Sequence, residues 1–283
     1  MASFTNFATL SYNGGTTNSN IVTGEILEAL TVVKTAVSAN YSAGDRITYA
    51  LSLVNTGTAA ITDYTVTDNL GGYTVGANTV YPLAYNAGTV RYYINGVLQT
   101  APTVTAGPPL TVTGLTVPAG GSAVLIYETT ATPVAPLATG SSITNTATIT
   151  GGGLTNPITA QATVETATSA DLTISKALSP TTVTENGQIT YTFVISNTGN
   201  TEATATGNVV VTDTFAPILR NIAVTYNGTA WTEGTNYTYN AATGVFTTLA
   251  GQITVPAATF TQNTDGTFTV TPGTATLVIT GTV

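Results

Sequence analysis

The chain has 283 residues, 42% hydrophobic and only 6% charged, and its 13 acidic and 5 basic side chains give a net charge of −8. So few scattered cations argue against a nucleic-acid or membrane-surface partner. The absence of Cys and His removes disulfides, thiolate chemistry, the usual general base and the commonest metal ligand, so neither metal nor cofactor is expected. Abundant Thr and β-branched residues predict an all-β protein, and no apolar run approaches the ~18 residues of a membrane-spanning helix.

The opening Met1-Ala2-Ser3-Phe4 lacks a basic and an apolar region, so no signal peptide is expected. Phe4-Thr5-Asn6-Phe7-Ala8-Thr9-Leu10 then alternates as a strand does. Asn13-Gly14-Gly15 supplies a turn, and Ile21 to Ile26 a return strand, so residues 1–27 read as a β-hairpin.

Residues 28–168 read as a first sandwich domain. Its strands include Leu30-Thr31-Val32-Val33-Lys34, Ile47-Thr48-Tyr49 leading to Asn55-Thr56-Gly57, Val66-Thr67-Asp68 and Ala123-Val124-Leu125-Ile126. It closes with Ile143-Thr144-Asn145-Thr146-Ala147-Thr148-Ile149, a turn at Gly151-Gly152-Gly153, and a return strand through Ile158, Ala160, Ala162 and Val164. Residues 169–283 repeat the pattern in Leu172-Thr173-Ile174-Ser175-Lys176, Ile189-Thr190-Tyr191, Asn197-Thr198-Gly199, Val211-Thr212-Asp213 and Ala275-Thr276-Leu277-Val278. Short alternating strands punctuated by Asn-Gly and Asp-Gly turns predict two tandem immunoglobulin-like β-sandwiches.

The second copy stops at Val283, where the first has reached only Ala131, so its closing hairpin is missing. The N-terminal hairpin carries the same Thr-Asn-x-Ala-Thr pattern as 143–149. Adding residues 1–27 to 172–283 matches the length of 30–166 to within a few residues. The expectation is therefore a donor hairpin, with Phe4, Ala8, Leu10 and Ile21 as its apolar contacts, that completes the second domain of a neighbouring copy. Closure within one chain is the alternative. The two or three residues between hairpin and first domain, at ~3.3 Å each, cannot bring one end of an extended two-domain rod to the other. Donation from copy to copy does not close on itself, so it gives an open head-to-tail homopolymer.

Strand parity places polar residues among apolar ones. Lys34 shares a face with Leu30 and Val32, and Lys176 with Leu172 and Ile174; they are the only two lysines. Asp68 shares a face with Tyr64 and Val66, and Asp213 with Val209 and Val211. Asn145 falls in line with Ile143 and Ala147, and Asn6 with Phe4 and Ala8. Inward-facing Lys and Asp need partners, so each Lys, Asp and Asn are expected to meet. In a dry core the amine loses its proton and attacks the amide carbon. The Asp (Asp68 or Asp213) moves protons as ammonia leaves, and a Lys–Asn isopeptide bond remains. Taken singly, each residue also has an ordinary reading: a snorkelling Lys, an Asp in a turn, an Asn in a Thr-rich strand.

The segments Leu172–Lys176, Ile189–Gly199, Val209–Asp213 and Thr144–Thr148 resemble the immunoglobulin-like conserved repeats of Gram-positive bacterial surface proteins. More loosely, they resemble pilin and adhesin domains with internal Lys–Asn isopeptide bonds and an acidic helper. The resemblance implies a secreted or surface-displayed stalk, with Lys34 joined to Asn145 beside Asp68, and Lys176 joined beside Asp213 to Asn6 of the next subunit. No wall-sorting motif is evident, so release by lysis, for example onto a spore surface, is a compatible route. The only chemistry implied is this self-modification, not an enzyme's.

Competing readings rest on weaker patterns. Asp63 with Asp68, or Glu25 with Glu28, would suit a glycosidase, and Asp45 with Asp63 a calcium site. Asn40, Asn227 and Asn236 begin glycosylation sequons. The Tyr-rich stretch 73–93, with Trp231, Tyr237 and Tyr239, motivates the main rival: a monomeric adhesin or carbohydrate-binding stalk.

Overall fold

The computed structural model describes residues 2–26 and 29–283. Apart from one short 3-10 turn, Ala205–Gly207, every described regular element is a strand. The chain divides into two compact units, Met1–Ala135 with Ser142–Glu165, and Pro136–Ser141 with Thr166–Val283. The second unit begins its main body at Thr166 and takes in the loop 136–141, and the N-terminal hairpin is grouped with the first unit.

In the first unit two six-stranded antiparallel sheets enclose the core. One carries the Lys34 strand (Leu30–Ala36) at its edge, followed by Arg46–Asn55 and Ser122–Ala131. The other is built around the Asp68 strand (Ile61–Asp68), flanked by Leu110–Val117 on one side and the Asn145 strand (Ser142–Gly151) on the other. The return strand Ile158–Thr166 pairs outside the Asn145 strand. Alternation decides which side chains meet: in Ser122–Ala131 every second residue is buried, bringing Ala123, Leu125, Tyr127 and Thr129 inward.

The second unit repeats half of this plan fully and half in part. The Lys176 strand (Leu172–Ser179) edges a five-stranded sheet through Gln188–Asn197 and Gly273–Thr282. The facing sheet has three strands, with the Asp213 strand (Thr212–Thr214) at its edge, paired only to Val245–Thr248. The edge that the Asn145 strand covers in the first unit has no strand beside it among the described residues.

The shared Asn-Thr-Gly motif has a structural role. Asn197 is buried; its Oδ1 accepts from the amides of Asp171 and Gly199, and its Nδ2 donates to the carbonyls of Thr201 and Pro256. Asn55 does the same for Gly57, Ala59 and Pro118. A Cβ on Gly199 would lie 2.2 Å from the Ser169 carbonyl oxygen, so only glycine lets the entering segment pass.

Candidate functional site

The N-terminal hairpin forms as expected. Ala2–Asn6 pairs with Val22–Ile26, and Thr9–Tyr12 with Gly15–Asn18. Among the described residues these strands pair only with each other. Phe4, Phe7, Leu10, Tyr12, Ile21 and Val22 are each more than half exposed, although they are the residues that should seek a core. Asn6 lies opposite Val22, and Phe4 opposite Gly24. Ile21 precedes the return strand, so Val22 and not Ile21 shares the Asn6 face. Ala8 lies in the break between the two paired segments. Of the linker that follows, Leu27 and Glu28 lie outside the described residues.

In the first unit the three expected residues come together. Lys34 Nζ donates to Asp68 Oδ2 at 2.5 Å, with the two side chains 0% and 1% exposed. Ala147 is the cross-strand partner of Asp68, which sets Asn145 on the same face, one diagonal away. Asn145 is fully buried, and neither its amide oxygen nor its nitrogen has a hydrogen-bond partner. Leaving such groups unpaired costs about 1–3 kcal/mol each. Burial is the main influence on the amine, pulling Lys34 down to about 8 against the opposing pull of Asp68. An amine partly unprotonated near neutrality, a buried amide flanked by the Tyr49 and Tyr127 side chains and a carboxyl in contact with the amine are the reactants for acyl transfer to nitrogen.

The walls of the site include two tyrosines, Tyr49 and Tyr127, that were not among the candidate site residues. Tyr127 donates its hydroxyl to Asp68 Oδ2, and Lys34 Nζ lies 4.9 Å from the Tyr49 ring centre and 5.9 Å from that of Tyr127. A tyrosine at an inward position, in register with a second one, was the available signal.

The second unit assembles the same pair without its cover. Lys176 contacts Asp213 over the rings of Tyr191, Phe193 and Phe215, but its side chain is 40% exposed and that of Asp213 18%. Ile174 and Leu178, on the same face, are bared as well. Asn6 is exposed on the N-terminal hairpin.

The remaining candidates take structural roles. Asp63 is an exposed residue with φ of 61°, while Asp68 is sealed in the core, so they form no open carboxylate pair. Glu28 lies outside the described residues. Asp45 accepts from the Ser42 amide in a turn, and no cluster of metal-ligating side chains occurs among the described residues. Asn227 occupies a hairpin turn with φ of 47°. Trp231 stacks on Tyr226, and Tyr237 packs on Phe246 within the second core.

No protein-family model and no curated protein matches the sequence. Solved structures with some likeness include the major pilin subunit BcpA of Bacillus cereus, at 14% identity, 96% of this chain, 73% of that one and a TM-score of 0.35. The pilus backbone RrgB of Streptococcus pneumoniae stands at 13%, 86%, 55% and 0.34. The major pilin of Streptococcus agalactiae stands at 13%, 56%, 67% and 0.36. Likeness this low places the chain in no family, so the functional reading rests on its own geometry.

Proposed function

We propose that the chain is the structural subunit of an extracellular fibre, assembled head to tail by hairpin donation and locked by Lys–Asn isopeptide bonds within and between subunits. One matched deficiency carries the reading. The second unit holds a Lys–Asp pair and an open sheet edge where the first has a covering hairpin, and the chain has one spare hairpin with its apolar side chains in water. Seating Phe4, Asn6 and Val22 against the Lys176 strand would bury both surfaces and give the Asp213 strand its missing neighbour. Asn6 then stands to Lys176 and Asp213 as Asn145 stands to Lys34 and Asp68. The chain acts on no outside substrate in this reading; its surface location, on a cell or spore, follows from its being a fibre.

Negative-stain microscopy of purified protein, followed by boiling in detergent, tests the proposal. Fibres that run as a ladder of multiples after boiling are expected. Protein that stays monomeric at high concentration and binds glycans would instead favour an adhesive stalk.

A further inference from the structure

Among the differences between the two Lys–Asp pairs, one lies in the strand opposite Tyr49 and its repeat counterpart Tyr191. Ser122–Ala131 sets Tyr127 opposite Tyr49, and the equivalent strand sets Ile279 opposite Tyr191. In the first unit the Asp68 carboxyl is held at both oxygens. Oδ1 accepts from the Leu70 amide at 2.9 Å, and Oδ2 accepts from both Lys34 and Tyr127. In the second, Asp213 Oδ1 accepts from the Thr214 amide and Oδ2 from Lys176; among the described residues no tyrosine hydroxyl reaches it.

Resting on the reading that these trios react, we propose that Tyr127 is a positioning residue for the Lys34–Asn145 bond, and that Ile279 leaves the joint between subunits without this device. For the bond to form, Lys34 Nζ must leave Asp68 Oδ2 and turn to Asn145 Cγ. It first passes a proton to Asp68 and attacks as a neutral amine. The new C–N bond forms, the Cγ–Nδ2 bond breaks, and the departing nitrogen takes the second amine proton by way of the carboxyl and leaves as ammonia. Of the three protons on the Lys34 ammonium, one stays on the isopeptide nitrogen, one leaves with ammonia and one remains on Asp68. While the amine is away from Oδ2, the Tyr127 hydroxyl is the contact that keeps this oxygen aimed into the site. Burial pushes the Tyr127 phenol well above its ordinary value, so its proton stays in place. The Tyr49 hydroxyl, in the same cluster, makes no hydrogen bond to either carboxyl oxygen; it feels the Asp68 charge and lies beside the Asn145 amide.

The test follows the intact mass of newly synthesised full-length chain in an Asn6→Ala background, where only the first bond can form. Folding is checked separately by near-ultraviolet circular dichroism. The ~17 Da loss that accompanies release of ammonia is the readout. Tyr127→Phe is expected to slow the loss by about tenfold or more in folded protein, while Tyr49→Phe, which removes a hydroxyl from beside Asn145 and none bonded to Asp68, is expected to slow it less. In the chain with Asn6 restored, Ile279→Tyr should speed the appearance of the boiled ladder without changing fibre growth by light scattering. Equal rates for Tyr127→Phe and its parent, or equal slowing by Tyr49→Phe, overturn the positioning role while leaving the bond itself standing. An Ile279→Tyr ladder no faster than the parent's overturns its extension to the joint. A parent chain that never loses mass overturns the reaction and this inference together.

Discussion

At the scale of single residues, the proposed reactivity and its pH dependence both turn on the buried Lys34. Because Lys34 hands its proton to Asp68 before it attacks, the reacting pair holds as many protons as the resting ion pair, so bond formation should be level with pH below about 8, the value to which the amine is pulled down, and fall above it as the pair loses that proton. Timed intact-mass measurement across pH 6 to 9 checks this. Asn145→Ala blocks the bond and exposes the linked stability effect. The folded value lies below the ordinary 10.5, so above pH 8 the unfolded chain holds a proton that the folded chain has released, and stability rises with pH. Thermal melts of this variant should improve between pH 8 and about 9.5. Above that the sign reverses, because burial raises tyrosines such as Tyr41, to about 12, and the unfolded chain then loses protons that the folded chain keeps. Parity made Lys34, Asp68 and Asn145 legible, because a charged or amide side chain in an apolar row stands out. Tyr127 was hidden because its ring is ordinary core material and only its hydroxyl meets the carboxyl.

At the scale of elements, the hairpin is held ready by its own pairing, and Gly24 is its most sensitive point. A Cβ there would come within 2.4 Å of the Phe4 ring, which lies across the paired strand. Gly24→Val should leave the melting of both units unchanged but push Phe4 aside and sharply reduce fibre formation, read by light scattering and microscopy. A different failure is expected from Asn197→Ala, which strips four hydrogen bonds, one buried and three part-buried, and should cost the second unit about 3 kcal/mol in denaturant melts. The sequence showed this motif only as a repeat marker, because nothing in Asn-Thr-Gly says which distant carbonyls it will meet. It also suggested Ile21 as a contact. The structure starts the return strand one residue later because the hairpin carries an irregularity between its two paired segments, which alternation alone does not register.

At the scale of the whole molecule, docking and linking separate by mutation. Asn6→Ala should still form fibres, but boiling should reduce them to single chains, whereas deleting residues 2–26 should abolish assembly outright. Gel electrophoresis and microscopy together distinguish the two. The internal Lys34–Asn145 bond spans a loop of about a hundred residues. By analogy with a disulfide of that span it would contribute about 4–5 kcal/mol to the stability of the first unit. The open second unit has a consequence for how such a material grows. In the proposed fibre every chain, and every oligomer of any length, would present one free hairpin and one uncovered Lys–Asp pair, so any two pieces could join, and each joint would expel ammonia. That is the arithmetic of a condensation polymer of bifunctional monomers: mean length climbs steeply only as the last ends react, with no special seed required. A small proportion of chains deleted for residues 2–26 would act as monofunctional stoppers, and the dose at which they halve the mean length would count the reactive ends directly.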